Sequence, residues 1–356
     1  MRLLHTQTGQ LCSFDGPSIP PYAILSHVWS RPDDPGHVSE QSYQDVVEVS
    51  ALSHPEHSIL PSLSPKIQAS CAITNRHGYQ YLWVDTCCIN KSSSAQVSES
   101  INSMFAWYAR SHLCYAYLAD VEDGDRPEHP QSQFRRSRWF KRAWTLQELI
   151  APSNVVFLSK DWNVIGSKSS LAHTIKEVTN IDIDVLTGRR TLREVCVAQR
   201  MSWASRREAS RVEDEAYSLL GIFGVHLRLN YGEGRNSFSR LQEAILKHIP
   251  DQSLFAWGPR HRLSCTHESC LFATSPRDFS ASFDLRIIPP KVFSRRLGIS
   301  ILHPEAHISA YGIRMSLPIV RISGYQLALL ACEDGAGKLV GLVLREPQVQ
   351  EADVAV

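Results

Sequence analysis

Residues 79–86 read YQYLWVDT, and this aromatic and β-branched run predicts a buried β-strand. Three other apolar runs of strand length predict further strands: residues 22–28, 113–118 and 155–158. Apolar periodicity with Gly and Pro boundaries predicts a helix before each of the three later strands: residues 65–77, 96–110 and 139–150. The resulting order is βαβαβαβ, which indicates a parallel sheet with helices on both faces.

The rest of the chain divides into segments of different character. Residues 30–64 are rich in Pro, Ser, Asp and His without periodicity, which predicts a long loop. Four candidate helices follow the last predicted strand: residues 169–178, 191–205, 211–223 and 236–248. Four short antiparallel strands are predicted nearer the C-terminus: residues 299–303, 312–320, 325–332 and 338–344. We therefore predict an α/β domain over residues 1–165, a helical region over 166–258 and a β-rich region over 259–356.

Composition and charge limit the classes of partner. The 356-residue chain is 43% apolar and 21% charged, as is typical of a folded protein. Its formal net charge of +1 argues against nucleic acid or an anionic membrane as the main partner. The nine cysteines, of which Cys87 and Cys88 are adjacent, do not resemble a secreted disulfide framework. Because the sequence shows no signal peptide and no apolar run near the ~20 residues that span a bilayer, it predicts a cytoplasmic protein.

Polar and aromatic side chains stand at the carboxyl ends of the first two predicted strands. Ser26, His27 and Trp29 end or follow the first strand, and Asp85 and Cys88 follow the second. In open α/β sheets, ligands bind at the carboxyl ends of the strands. We therefore expect these side chains to lie near a binding site.

Glu148 and Trp144 stand four residues apart in the predicted helix, so they share one helix face. A carboxylate packed against an aromatic ring is partly desolvated, which suits a general base or the stabilisation of a developing cation. The alternative is an amphipathic helix in which Glu148 pairs with Arg142 or Lys141. Five cations occupy residues 135–142, and they either hold a phosphate-bearing ligand or balance the acidic loop before them.

Cysteine chemistry is a further alternative. Cys87 or Cys88 could form a nucleophile–base pair with His27, although a cysteine usually serves as a small buried hydrophobe. A loose group further along the chain has a spacing at the outer edge of that of zinc sites: His261, Cys265, His267 and Cys270. A polar loop explains that group better, so we predict no metal site.

Three blocks of the sequence resemble the blocks of the fungal heterokaryon-incompatibility (HET) domain: AILSHVWS (residues 23–30), YLWVDTCCIN (81–90) and SRWFKRAWTLQELIAP (137–152). The continuation resembles an extension common in one large group of these proteins: VAQRMSWAS (197–205), RVEDEAYSLLGIFGV (211–225), LNYGEG (229–234) and DQSLFAWG (251–258). Several motifs agree in order and separation, so the resemblance is more specific than any one of them. It covers roughly residues 1–258, which are identified as a HET domain (1–165) with a helical extension (166–258).

The resemblance implies a fold and a site. HET domains are associated with the cell death that follows fusion of incompatible fungal cells, and their fold resembles the flavodoxin-like sheet of Toll/interleukin-receptor (TIR) domains. Some TIR domains hydrolyse NAD, and residues 144–149 (WTLQEL) are similar to their W-C-x-x-E-L segment. By this similarity, Glu148 corresponds to the catalytic glutamate of the TIR enzymes. Two positions depart from the patterns: Thr145 replaces a cysteine, and Lys91 stands where many HET domains have glutamine.

The implied activity is cleavage of the nicotinamide–ribose bond of NAD, with Glu148 stabilising an oxocarbenium-like transition state. NAD is then a substrate, and no cofactor is implied. The residues expected to bind it are Ser26, His27, Trp29, Asp85, Cys88, Arg142 and Trp144. The alternatives are a non-catalytic death-signalling module, in which Glu148 and Arg142 form an ion pair, and a cysteine hydrolase. The expected partners are a second HET domain and an unknown upstream sensor or incompatibility partner.

Overall fold

The computed structural model describes residues 1–30, 32, 37–54, 57–259, 271–300, 306–309, 312–322 and 325–344. The chain forms two compact units. The first consists of Met1–Glu194 and Arg206–Leu241, and the second of Val195–Ser205 and Gln242–Val356.

The first unit is built on a seven-stranded sheet: β1 (Arg2–His5), β2 (Leu11–Ser13), β3 (Ala23–His27), β4 (Tyr81–Trp83), β5 (Leu113–Tyr117), β6 (Val155–Leu158) and β7 (Val164–Ser167). The strand order across the sheet is β2-β1-β4-β3-β5-β6-β7. The four central strands are parallel, and the flanking strands are antiparallel. Counted along the chain, the parallel strands take the order 2-1-3-4, which is that of doubly wound, flavodoxin-like sheets.

The helices, in chain order, are α1 (Tyr43–Leu52), α2 (Pro65–Arg76), α3 (Asp85–Cys88), α4 (Ser94–Arg110), α5 (Gln133–Arg136), α6 (Thr145–Ile150), α7 (Ala172–Thr179), α8 (Ile183–Leu186), α9 (Val197–Ser202), α10 (Asp214–Tyr217), α11 (Leu220–Phe223), α12 (Asn236–His248) and α13 (Pro290–Leu297). A 3-10 turn, Arg138–Lys141, precedes α6. Among the helices that the structure describes, none is both long and apolar enough to cross a membrane.

The centre of the sheet lies between β3 and β5. All five residues of β3 are buried, as expected for a central parallel strand that is covered on both faces. Ser26 lies opposite Ala116 and His27 opposite Tyr117 at the carboxyl ends of the two strands. The strand order reverses at this position, and ligands of open α/β sheets bind at such a reversal.

The second unit carries the short strands of the C-terminal part: β8 (Arg286–Ile287), β9 (Ala306–Ser309), β10 (Gly312–Met315), β11 (Ile319–Ile322), β12 (Tyr325–Glu333) and β13 (Leu339–Leu344). β12 pairs with β11, β13 and β8, and β9 forms a separate hairpin with β10. Ile288, Phe293 and Leu329 form a buried cluster between α13 and this sheet.

The α/β fold class is confirmed, with its mostly parallel sheet, its helical middle and its small β-rich C-terminal sheets. The four predicted parallel strands are present as β3 to β6, and the helices predicted over residues 65–77 and 96–110 are α2 and α4. The domain boundaries at residues 165 and 258 stay predictions. The strand predicted over residues 299–303 lies largely outside the described residues, as do all four members of the His/Cys group in residues 261–270.

Three local predictions were wrong. Residues 30–64 contain α1, which begins at a capping box between Ser42 and Asp45. The strand predicted over residues 79–86 stops at Trp83, because the chain turns into α3 at Asp85. The helix predicted over residues 139–150 is broken. Its backbone at residues 141–143 pairs with Glu208, whose N–H donates to the carbonyl of residue 141 and whose carbonyl accepts from the N–H of residue 143.

Candidate active site

Glu148 lies on α6, at the carboxyl end of β3. Only 8% of its surface is exposed. Its Oε2 accepts a short hydrogen bond from the Ser26 hydroxyl, which in turn accepts one from the indole N–H of Trp139 at 2.8 Å. The Tyr108 hydroxyl lies close enough to the carboxyl group to influence its pKa, and it donates to the carbonyl of Leu25 at 3.2 Å. Glu148 is therefore held by a neutral donor on β3, Ser26, whose hydroxyl is in turn fixed by Trp139.

The carboxyl group of Glu148 has a pKa near neutral pH. Burial raises the pKa of its carboxyl group to about 7, and the charge of Asp85 acts in the same direction. The hydrogen bond from Ser26, the charge of Arg142 and the nearby Tyr108 hydroxyl partly oppose this increase in pKa. A carboxyl group with a pKa near the operating pH can hold a proton or release it, as general acid–base work requires.

Buried cations hold both ends of α6. At its start, Nη1 of Arg207 donates to the carbonyl of Arg142 and to Oγ1 of Thr145, each at 2.9 Å. At its end, Nζ of Lys168 donates to the carbonyl of Leu149 at 3.2 Å. Burial lowers the pKa of Arg207 to about 9 and that of Lys168 to about 8. These two contacts fix the short helix that presents Glu148.

His27 is the last residue of β3, and charged side chains surround its imidazole. Its Nε2 lies 3.8 Å from a carboxylate oxygen of Glu40 and 3.8 Å from one of Asp85. Neither ring nitrogen has a hydrogen-bond partner in the described part of the chain. Burial lowers the pKa of His27 to about 3, assisted by the charge of Lys66, which is ion-paired with Glu40. We therefore treat the imidazole as neutral at physiological pH.

A neutral buried His27 predicts a loss of stability in acid. The imidazole takes up a proton near pH 6.5 in the unfolded chain but only near pH 3 in the folded one, so its contribution is complete above pH 6.5 and declines below it. By pH 5 the loss is about 2 kcal/mol. We expect His27→Gln to remove this loss when urea unfolding is compared at pH 7 and pH 5. The exposed His173→Gln serves as the control, and an unchanged pH dependence in His27→Gln would refute the assignment.

Trp29 connects Asp85 with two cations. Its indole N–H donates to Oδ2 of Asp85 at 2.9 Å. The ammonium of Lys91 lies 3.7 Å from the centre of the indole ring, and the guanidinium carbon of Arg142 lies 5.3 Å from it. The charges of Arg142 and Asp85 both act on Glu148. Six of the eight predicted site residues thus form one connected cluster: Ser26, His27, Trp29, Asp85, Arg142 and Glu148.

The other two predicted residues have different surroundings. Trp144 lies close enough to Asp214 to influence the pKa of its carboxyl group, and Asp214 accepts from the Tyr231 hydroxyl at 2.9 Å. The aromatic side chain that is linked to Glu148 is Trp139, through Ser26. Cys88 is buried in α3, where its sulfur accepts from the N–H of Val84 at 3.4 Å.

The environment of the cysteine pair disfavours a cysteine nucleophile. Cys87 is fully buried. Its hydrogen bond with Cys88, together with burial, raises the pKa of the Cys87 thiol well above its usual value. A nucleophilic cysteine needs a lowered pKa and access to substrate. Among the residues that the structure describes, no group of His, Cys, Asp and Glu is arranged to hold a metal ion.

Several residues of the cluster were not selected from the sequence: Glu40, Lys66, Tyr108, Trp139 and Arg207. Trp139 lies inside the sequence block of residues 137–152, so its membership of that block could have marked it as a site residue. Arg207 and Glu40 lie far from Glu148 along the chain, and no spacing rule connects them with it.

Comparison with known proteins finds two family models and one curated relative that are similar to parts of the chain. Residues 22–129 match the family model "Heterokaryon incompatibility protein (HET)", and residues 236–266 and 259–338 match a domain of unknown function (DUF8212). The chain is 44% identical over 234 residues to the vegetative incompatibility protein HET-E-1 of Podospora anserina, a match that covers 64% of this chain and 16% of that protein. No solved structure matches the chain. Over residues 22–129 the chain is therefore similar to heterokaryon incompatibility (HET) proteins, and it spans a small part of the length of the curated relative that it matches.

Proposed function

We propose that this chain acts in heterokaryon incompatibility and causes cell death by hydrolysing NAD at its nicotinamide–ribose bond. The similarity to a vegetative incompatibility protein supports the biological role. One observation carries the chemistry. A buried carboxyl group, Glu148, lies where the order of the parallel strands reverses, and its pKa is near 7. In the described part of the chain it forms no ion pair, and its carboxyl group accepts a hydrogen bond from the Ser26 hydroxyl.

The proposed reaction breaks the bond between the ribose carbon and the nicotinamide nitrogen. The electron pair leaves with nicotinamide, and the ribose becomes an oxocarbenium-like cation. The Glu148 carboxylate stabilises this cation, and the low polarity of its surroundings strengthens that attraction. A water molecule then adds to the ribose carbon, and Glu148, with its pKa near 7, accepts the proton that the water releases. The Ser26 hydroxyl acts by holding the carboxylate in one orientation.

The decisive experiment follows NAD and nicotinamide by chromatography with the concentrated wild-type protein and its Glu148→Gln variant. We expect the wild type to convert NAD to nicotinamide and ADP-ribose. The variant should be at least about a hundredfold slower, because it cannot stabilise the cation with a negative charge. Glu99→Gln, on an exposed position of α4, should retain the wild-type rate. Equal rates in wild type and Glu148→Gln would exclude the role of Glu148.

A second candidate function is a non-catalytic death-signalling module that associates with like domains. The low exposure of Glu148 favours it, because a carboxyl group that is 8% exposed and held by the Ser26 hydroxyl also suits a purely structural role. If the wild-type protein consumes no NAD, even at concentrations at which it self-associates, the enzymatic proposal fails and this one replaces it. Self-association and an upstream partner are compatible with both functions.

A further inference from the structure

Two cations from separate segments meet on one aromatic ring. Trp29 follows β3, Lys91 follows α3, and Arg142 precedes α6. The Lys91 ammonium lies 3.7 Å from the centre of the Trp29 ring, and the Arg142 guanidinium carbon lies 5.3 Å from it. The two charges therefore lie no farther apart than the sum of these distances. Attraction to the electron-rich indole face keeps both in place in spite of their mutual repulsion.

The carboxylates around this pair of cations already have other partners. Asp85 accepts from the Trp29 indole, Glu40 is ion-paired with Lys66, and Glu148 accepts from Ser26. Neither Lys91 nor Arg142 forms an ion pair with any residue that the structure describes. The charges of Asp85 and Glu40 act on Lys91 without an ion pair at contact distance, so the aromatic platform leaves two neighbouring cations free to contact an anionic ligand beside Glu148.

We propose that Lys91 and Arg142 bind the diphosphate of a nucleotide, with Trp29 setting the separation of the two cations. A guanidinium offers a planar fork of donors to one phosphate, and an ammonium offers a compact charge to the next. Two adjacent cations match two linked anionic groups better than a single carboxylate. The inference rests on the proposed function in that it takes NAD, a dinucleotide with a diphosphate bridge, as the physiological ligand. Binding itself requires no bond cleavage.

The test is titration calorimetry at low ionic strength with ADP, inorganic pyrophosphate and adenosine as probes. We expect ADP and pyrophosphate to bind the wild type, adenosine to bind at least about tenfold more weakly than ADP, and added salt to weaken ADP binding. Lys91→Met and Arg142→Met should each lose about tenfold in ADP affinity. Lys141→Met is the matched control, because it removes an exposed charge adjacent in sequence to Arg142 and should bind ADP as the wild type does.

Two results would overturn the inference: ADP binding no tighter than adenosine binding in the wild type, or wild-type ADP affinity in both methionine variants. Lys91→Arg, which keeps the charge, should retain ADP binding, and thermal unfolding verifies that each variant is folded. ADP binding and NAD hydrolysis are separate readouts, because ADP contains no nicotinamide–ribose bond. Consequently, ADP binding without NAD hydrolysis would refute only the enzymatic proposal. NAD hydrolysis at the wild-type rate in both Lys91→Met and Arg142→Met would refute only the proposal that these two residues bind the diphosphate.

Discussion

At pH 8 the Glu148→Gln variant should be more stable to unfolding than the wild-type protein, by about 3 kcal/mol. Burial raises the pKa of Glu148 from its ordinary value of 4.5 to about 7. The folded state therefore binds the proton more tightly than the unfolded state does. This contribution to stability is complete below pH 4.5 and is lost as the pH rises to 7. At pH 8 the wild type must keep a buried carboxylate ionised, whereas a glutamine carries no such cost.

The measurement is urea unfolding of both proteins at pH 8 and pH 5. We expect the advantage of Glu148→Gln to shrink below about 1 kcal/mol at pH 5, where the wild-type carboxyl group is protonated. The acid sensitivity contributed by His27 is common to both proteins and cancels in the difference. Glu99→Gln should match the wild type at both pH values. An advantage of equal size at the two pH values would contradict the raised pKa.

Such an outcome would also bear on function. A residue whose replacement increases stability and abolishes NAD cleavage is retained at a cost to the fold. A variant that loses activity because it unfolds would show the opposite change in stability. The unfolding data therefore separate a chemical role of Glu148 from a structural one.

Gly221→Ala should destabilise the protein by about 3 kcal/mol, although alanine normally favours a helix over glycine. Gly221 lies in α11, directly against Phe105 of α4. A Cβ atom added at residue 221 would lie 2.1 Å from Cβ of Phe105 and 2.6 Å from its Cγ. No change of side-chain rotamer moves a Cβ atom, so the two helices must separate.

A double-mutant cycle tests this explanation. Phe105→Ala should not rescue Gly221→Ala, because alanine keeps the Cβ atom that causes the nearest clash. Phe105→Gly removes that atom, so its combination with Gly221→Ala should show a favourable coupling energy. The free energies of unfolding come from urea titrations of the single and double variants. Rescue by Phe105→Ala would show instead that the aromatic ring, and not the approach of the two backbones, decides the packing.

The parallel sheet could be predicted because its central strands are buried on both faces and so appear as continuous apolar runs. The flanking strands β1, β2 and β7 pair antiparallel outside this pattern, and they were not predicted from the sequence. α1 was missed because loop-like composition surrounds it, although the capping residues Ser42 and Asp45 were a usable signal.

The site could be predicted where residues stand at strand ends or in a recognised sequence block. Ser26, His27 and Asp85 belong to the first group, and Glu148 belongs to the second. The expected contact between Trp144 and Glu148 assumed an unbroken helix, whereas the backbone pairing with Glu208 interrupts it. Side chains that approach Glu148 from remote segments, such as Arg207, follow from tertiary structure alone and leave no local pattern.

The position of β6, α6 and Arg207 has a consequence for dissecting the protein into modules. The family match ends at residue 129, yet β5 pairs with β6 beyond that border, and both Glu148 and Arg207 follow it. A fragment cut at residue 129 would lose the hydrogen-bonded neighbour of a central strand. Exchanging only residues 22–129 between two relatives would combine Ser26 from one parent with Glu148 from the other. Expression fragments and chimaeras should therefore keep β6, Glu148 and Arg207 together with residues 22–129.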